Sequence, residues 1–283
     1  MDWNSQEVDD LIRRALAEDI GAGDATSLAT IPAAAMARAR IVAKAPAVCA
    51  GLPLVERVLR VLDPEAVVRL LAKDGDTRNQ GRELAQIHGR ARAIVSGERT
   101  VLNFLAHLCG IATLTGRFVE RLEGTQAKIR DTRKTTPGLR ALEKYAVRMG
   151  GGTNHRIGLY DAILLKENHI ALAGGIVPAL ERAHKNRRGE QIIEIEVSSL
   201  EELEQALEHG GEAILLDNMP VEEVKRAVER CSHVERQIPL EVSGGITLEN
   251  VRAYAETGVN FISVGVLTHS AKASDMGMRL APV

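Results

Sequence analysis

Between Gln6 and Ala17 the apolar residues Val8, Leu11, Ile12, Ala15 and Leu16 recur at helical spacing, and the glycine-bearing run Ile20-Gly21-Ala22-Gly23-Asp24 stops the pattern. An amphipathic helix therefore opens the chain. Three apolar stretches follow, Ala37 to Ala43, Val67 to Ala72 and Glu83 to Val95, separated by Pro46, Pro53, Pro64 and Gly75, and these read as strands between loops. Ser96 stands where an N-cap belongs, ahead of a helix from Glu98 to Leu108 whose apolar face is Val101, Leu102, Leu105 and Leu108. We read that helix as a link between two domains.

From residue 128 onward the pattern changes to short apolar strands, each followed by a helical segment, as in parallel βα units. Six strands are predicted: Ala127-Ile129, Ala162-Leu165, Ile192-Val197, Ala213-Leu216, Leu240-Val242 and Phe261-Val264. Polar residues or glycine follow most of them, and the C-terminal ends of parallel strands are where barrel enzymes bind ligands. Glu194 and Glu196 interrupt the third strand two residues apart, hence on one face, so at least one points at a site. The pattern predicts an α/β chain, an N-terminal α+β module followed by an incomplete α/β barrel.

Composition narrows the function. The net charge is only −2, from 36 Lys and Arg against 38 Asp and Glu, so no global field recruits nucleic acid. Aromatic residues make up 2%, too few for the stacking platforms of single-strand binders. The three cysteines, Cys49, Cys109 and Cys231, lie far apart and form no metal or redox motif, which suits a reducing compartment. The acidic, polar start lacks the basic and apolar regions of a signal peptide, and no apolar run is read as membrane-spanning. A cytoplasmic small-molecule enzyme is the expectation.

Local charge then marks a site. Asp131-Thr132-Arg133-Lys134-Thr135-Thr136-Pro137-Gly138 runs from a strand end into a helix, with Pro137 expected near its first turn, and combines hydroxyls, cations and a helix start suited to an anion. Arg140, Lys144 and Arg148 fall on one face of that helix and read as a solvated or subunit-contacting stripe. Gly150-Gly151-Gly152 permits close backbone approach before Thr153, Asn154, His155 and Arg156. Lys166 ends its strand and emerges at the rim, while Glu196 and Asp217 bring carboxylates to neighbouring strand ends, able to hold ribose hydroxyls or a hard cation. Ser243-Gly244-Gly245 and the Val264-Gly265-Val266 turn match a phosphate cradle of backbone N–H groups; His269 either stabilises substrate or caps the last helix.

Taken together, these segments resemble quinolinate phosphoribosyltransferases, the decarboxylating enzymes that make nicotinate mononucleotide. The likeness spans nearly the whole chain, including Glu18-Asp19-Ile20-Gly21, Ser96-Gly97-Glu98-Arg99-Thr100, Asp131-Thr132-Arg133-Lys134-Thr135-Thr136-Pro137-Gly138, Asn154-His155-Arg156, Leu165-Lys166-Glu167-Asn168-His169, Leu216-Asp217-Asn218-Met219 and Ser243-Gly244-Gly245. One departure is Ser198-Ser199, where the family often has an acidic or amide residue. The resemblance implies an N-terminal α/β sandwich over residues 1–110, rejoined by about 270–283, then an atypical, incomplete α/β barrel over 111–269, and a homodimer, or a higher oligomer built from it, in which Arg99 enters the partner's site. It implies that Arg133, Lys134, His155, Arg156 and Lys166 surround quinolinate and phosphoribosyl pyrophosphate, with Thr132 beside them. Glu196 and Asp217 would lie near ribose and Mg²⁺, with Lys134, Lys166, Glu196 and Asp217 closest to the chemistry. Ser243, Gly244, Gly245, Val264, Gly265 and Val266 would hold phosphate. No organic cofactor is expected. The rival readings are a related protein associated with molybdenum transport, acting on another acceptor, and a non-catalytic phosphosugar-binding regulator.

Overall fold

The computed structural model describes residues 1–283. In chain order its first elements are α1 (Gln6–Ile20), α2 (Ala25–Thr30), β1 (Met36–Ala43), β2 (Ala47–Val48), α3 (Pro53–Leu62), β3 (Val67–Leu70), β4 (Thr77–Arg78), β5 (Glu83–Arg90) and α4 (Ala91–Arg121). There follow β6 (Lys128–Arg130), α5 (Arg140–Met149), β7 (Ile163–Leu165), α6 (Glu167–Ala173), α7 (Ile176–Asn186), β8 (Ile193–Val197) and α8 (Leu200–Glu208). The chain closes with β9 (Ala213–Asp217), α9 (Val221–Ser232), β10 (Leu240–Ser243), α10 (Val251–Ala255), β11 (Phe261–Ser263), α11 (Val266–His269) and β12 (Met276–Pro282). Two units result: one of residues 1–116, 136–151 and 270–283, the other of 117–135 and 152–269.

The first unit is built on an antiparallel sheet of order β12-β1-β5-β3. In β1, Ala37, Ala39 and Ile41 are buried while Met36, Arg38 and Arg40 alternate outward, the period-two pattern of a sheet with one covered face. In α1, Val8, Ile12 and Leu16 are buried at four-residue spacing, and Gly21 at φ 53° ends the helix. Each such aliphatic side chain contributes roughly 1.5–3 kcal/mol by leaving water. All three cysteines are free and buried, and burial pushes the Cys49 and Cys231 thiols up to about 11, leaving them as packing groups.

Three expectations for this region are corrected. The third strand ends at Arg90, and the helix begins at once at Ala91, so Ser96 is inside α4 and is not its cap; its hydroxyl instead donates to Asp24 at 2.9 Å. The same Asp24 caps α2, accepting from the Ser27 backbone at 3.0 Å, so one carboxylate serves both a neighbour on α2 and a serine 72 residues further along the chain. Second, α4 is long and apolar enough to cross a membrane by composition, contrary to the reading that no run is; 56% of its most apolar window is buried inside the protein, as in a core helix. Third, Pro137 precedes α5 in a turn, and Lys144 on that helix is 1% exposed, so Arg140, Lys144 and Arg148 do not form a solvated stripe.

The second unit carries the six predicted strands as one parallel sheet, order β6-β11-β10-β9-β8-β7. Ile193, Ile195 and Val197 on β8, Ile214 and Leu216 on β9, and Leu240 and Val242 on β10 are buried, together with Leu203 on α8 and Val224 on α9. The positions between them, Glu194, Glu196, Leu215, Asp217, Glu241 and Ser243, occupy the other side of the strands. β6 and β7 do not pair, so the barrel is not closed. The irregular segment after the glycine run enters at that edge, where Thr153 bridges Arg130 of β6.

Candidate active site

The pocket at the C-terminal strand ends of the second unit has a volume of about 580 Å³. Its cations are Arg133, Lys134, Arg156 and Lys166; Glu196, Asp217 and Glu241 are its carboxylates. Thr132, His155, Asn218, Ser243, Gly244 and Gly245 complete most of the lining.

The wall from β6 is organised by Asp131, which is completely buried. Its Oδ1 accepts the His155 backbone N–H at 2.9 Å and its Oδ2 the Asn154 amide at 2.5 Å, fixing the segment that replaces a closing strand. His155 Nδ1 accepts the Arg156 backbone N–H at 2.9 Å, so Nε2 carries the proton and donates to Glu194 Oε2 at 2.8 Å. Of Glu194 and Glu196, at least one of which was expected to point at a site, Glu194 orients His155 and Glu196 lines the pocket. Arg156 donates to the Ala162 carbonyl at 3.2 Å. Burial and the neighbouring Arg133 guanidinium pull Arg156 below the usual arginine range, against the opposing pull of Glu194 and Asp161. Arg133 Nε is buried and has no partner in the protein.

Lys134 is held by its backbone, whose carbonyl accepts the Thr268 hydroxyl at 2.7 Å. A Cβ on Gly265 would lie 3.2 Å from Lys134 Cδ and 3.3 Å from His269 Nε2, so a larger residue there would press on both side chains. Val264 is buried, and its N–H donates to the Arg130 carbonyl at 2.9 Å. Gly265 thus lies beside Lys134 and His269, and Val264, Gly265, Val266 and His269 are all outside the pocket lining. Arg99 is an exposed residue of α4 in the first unit.

On the other wall, Lys166 Nζ donates to Glu196 Oε2 at 2.8 Å, and the Ser243 hydroxyl donates to Asp217 Oδ1 at 2.9 Å. Asn218 is the one non-glycine residue with positive φ, 54°; its side chain donates to Asp217 Oδ2 at 2.6 Å and its N–H to the Ser243 carbonyl at 2.9 Å. This ties the turn after β9 to the turn after β10. Gly244, at φ 94°, has no room for a Cβ, which would stand 2.1 Å from Asn218 Oδ1. Gly244 and Gly245 line the pocket and their N–H groups find no acceptor within the chain, donors of the kind an anion cradle uses.

Sequence reading passed over Asp131 as a site residue, and also Asn218 and Glu241. Glu241 is 1% exposed, accepts from Arg130 at 2.5 Å and from the Ser263 hydroxyl, and its carboxyl is raised by burial and by Glu194. Its signal was present: a charge inside an apolar strand, two residues before Ser243. His155, Glu194 and Glu241 place ligand atoms within 4.8 Å of one another and could hold a metal ion. Imidazole in a donor set suits softer ions, whereas Mg²⁺ prefers oxygen alone.

A parallel α/β unit with cations, carboxylates and free N–H groups converging at its strand ends defines an enzyme class that handles phosphorylated anions. The family descriptions "Quinolinate phosphoribosyl transferase, N-terminal domain" and "C-terminal domain" match residues 24–109 and 111–279. The chain belongs to the quinolinate phosphoribosyltransferase family. It is similar to the nicotinate-nucleotide pyrophosphorylase (carboxylating) of Mycobacterium leprae, 46% identical over 96% of each chain. The probable enzyme of that name from Bacillus subtilis is 44% identical over 97% of this chain and 94% of its own. The crystal structure of NadC from Streptococcus pyogenes superposes with a TM-score of 0.95 at 38% identity, covering 100% of this chain and 99% of that one.

Proposed function

We propose that this protein transfers the phosphoribosyl group of phosphoribosyl pyrophosphate to quinolinate, giving nicotinate mononucleotide, pyrophosphate and carbon dioxide in NAD biosynthesis. The carrying observation is the pocket's division. Arg133, Lys134, Arg156 and Lys166 offer positive charge to the carboxylates and phosphates, with Arg133 Nε still lacking a partner. Opposite them stand Glu196, Asp217 and the open donors of the Ser243–Gly245 turn.

In this reading the pyridine nitrogen attacks the anomeric carbon as the bond to pyrophosphate breaks, and its electron pair forms the new C–N bond. Glu196 and Asp217 stabilise the oxocarbenium-like transition state, while the cations and cradle N–H groups hold the departing pyrophosphate. When the carboxylate on the adjacent carbon then leaves as carbon dioxide, the electron pair left at that carbon is stabilised by the neighbouring quaternised nitrogen and takes up a solvent proton. Mg²⁺ fits here as a group held by Glu196 and Asp217, two oxygen donors on adjacent strands β8 and β9, and when bound it neutralises donor phosphate charge. We read the working form as a cytoplasmic homodimer in which Arg99 completes the partner's site.

The test is the purified protein with quinolinate, phosphoribosyl pyrophosphate and Mg²⁺, following nicotinate mononucleotide and carbon dioxide, with nicotinate as control acceptor. Matched formation of both products from quinolinate is expected. Binding without turnover, or turnover with nicotinate alone, overturns the reading.

A further inference from the structure

The first unit carries a second cationic surface that the reaction above does not use. The outward face of its sheet forms a groove of about 520 Å³ lined by Arg38, Arg40, Arg69, Gln86, His88 and Arg279 among others. Strand register sets these residues in rows. Arg279 of β12 stands directly opposite Arg40 of β1, Arg40 opposite Gln86 of β5, and Gln86 opposite Arg69 of β3. In the next row Arg38 is opposite His88. Directly opposed residues share a face, so this is one continuous band across four strands, roughly 14 Å wide at the usual strand spacing of about 4.8 Å.

Two features set it apart from an ordinary solvated face. Like charges directly opposite one another destabilise an antiparallel pair, yet Arg40 and Arg279 are so placed. Of the four arginines, Arg40 alone has an acidic partner, Glu83 at 2.9 Å; Arg38, Arg69 and Arg279 have no ion pair. An arrangement that costs stability and leaves guanidinium groups without counter-charges is what a site for an external anion looks like in its empty form. No Phe, Tyr or Trp lines the groove, so the large stacking platforms of single-strand binders are missing.

We propose that this face binds an extended polyphosphate chain, free or as the tail of a nucleotide, through Arg38, Arg40, Arg69 and Arg279. The experiment is calorimetric titration of the full-length protein with inorganic tripolyphosphate, comparing wild type with the triple variant Arg38→Gln, Arg69→Gln, Arg279→Gln. Because the catalytic pocket also takes phosphates, wild type should show two binding events and the variant one, with the lost event weakened about tenfold or more and turnover unchanged. The double variant Arg69→Lys, Arg279→Lys, which keeps the charge, should retain the second event and serves if the triple variant does not fold. ATP binding as tightly as tripolyphosphate assigns the site to the phosphate chain, and tighter ATP binding to a nucleotide. Identical isotherms for wild type and triple variant, or binding of a single-stranded oligonucleotide but not of tripolyphosphate, overturn the proposal.

Discussion

Lys134 and Arg156 reach the same pocket from different segments, Lys134 pinned through its carbonyl by Thr268 and Arg156 through its guanidinium by Ala162. Electrostatic groups held in place before substrate arrives act without reorganisation cost, so Lys134→Ala and Arg156→Ala should each lower kcat/KM roughly 10²–10³-fold with unchanged circular dichroism. Near-normal turnover in both would remove the cationic wall from the mechanism. Asp161 makes a subtler prediction. Burial pushes its carboxyl up, but the N–H groups of Gly158 and Ile157 and the nearby Arg156 outweigh this and hold it below its ordinary value of 3.8. Its folded form therefore gains stability from the ionised group at neutral pH and loses it as pH falls through the depressed value. Asp161→Asn should melt below wild type at pH 6, and the gap should close as pH falls below 3.8 and through the depressed value. A gap independent of pH would mean that the charge is not what matters.

At the level of elements, two turns and one helix crossing carry the geometry. The Ser243–Gly245 turn fits only because Gly244 leaves space for Asn218. Gly244→Ala is expected to raise KM for the phosphoribosyl donor far more than for quinolinate, as read from initial rates with each substrate varied. In α4, a Cβ on Gly110 would lie 2.3 Å from the Lys272 carbonyl oxygen, a backbone atom with little freedom to move. Gly110→Ala should cost about 1–3 kcal/mol in denaturant unfolding, as overpacked sites do. Helix boundaries were the least legible part of the sequence. Ser96 has the chemistry of a cap, but its hydroxyl is taken by Asp24, and nothing local distinguishes the two uses.

For the whole molecule, the proposed sharing of Arg99 between protomers has a direct test. Inactive Arg99→Ala and inactive Lys134→Ala proteins, mixed and allowed to exchange subunits, should recover partial activity, because one mixed site receives intact residues from both chains. Exchange without recovery would count against the shared arrangement. Assembly should also track activity on dilution, followed by light scattering alongside rate.

The sequence by itself determined the six strands, since apolar runs punctuated by polar strand ends report burial under helices residue by residue. It also marked Arg133, Lys134, Arg156, Lys166, Glu196, Asp217 and Ser243 as site candidates, because charge at a strand end is conspicuous against apolar neighbours. Tertiary structure alone decided how those positions are held. Asp131 works by gripping Asn154 and His155 more than twenty residues away, Glu194 by orienting His155, and Gly265 by yielding space to Lys134 and His269. It also decided that Lys144 is buried and that a row of arginines meets across four strands. Such roles depend on partners distant in the chain, and periodicity carries no information about which strand lies next to which.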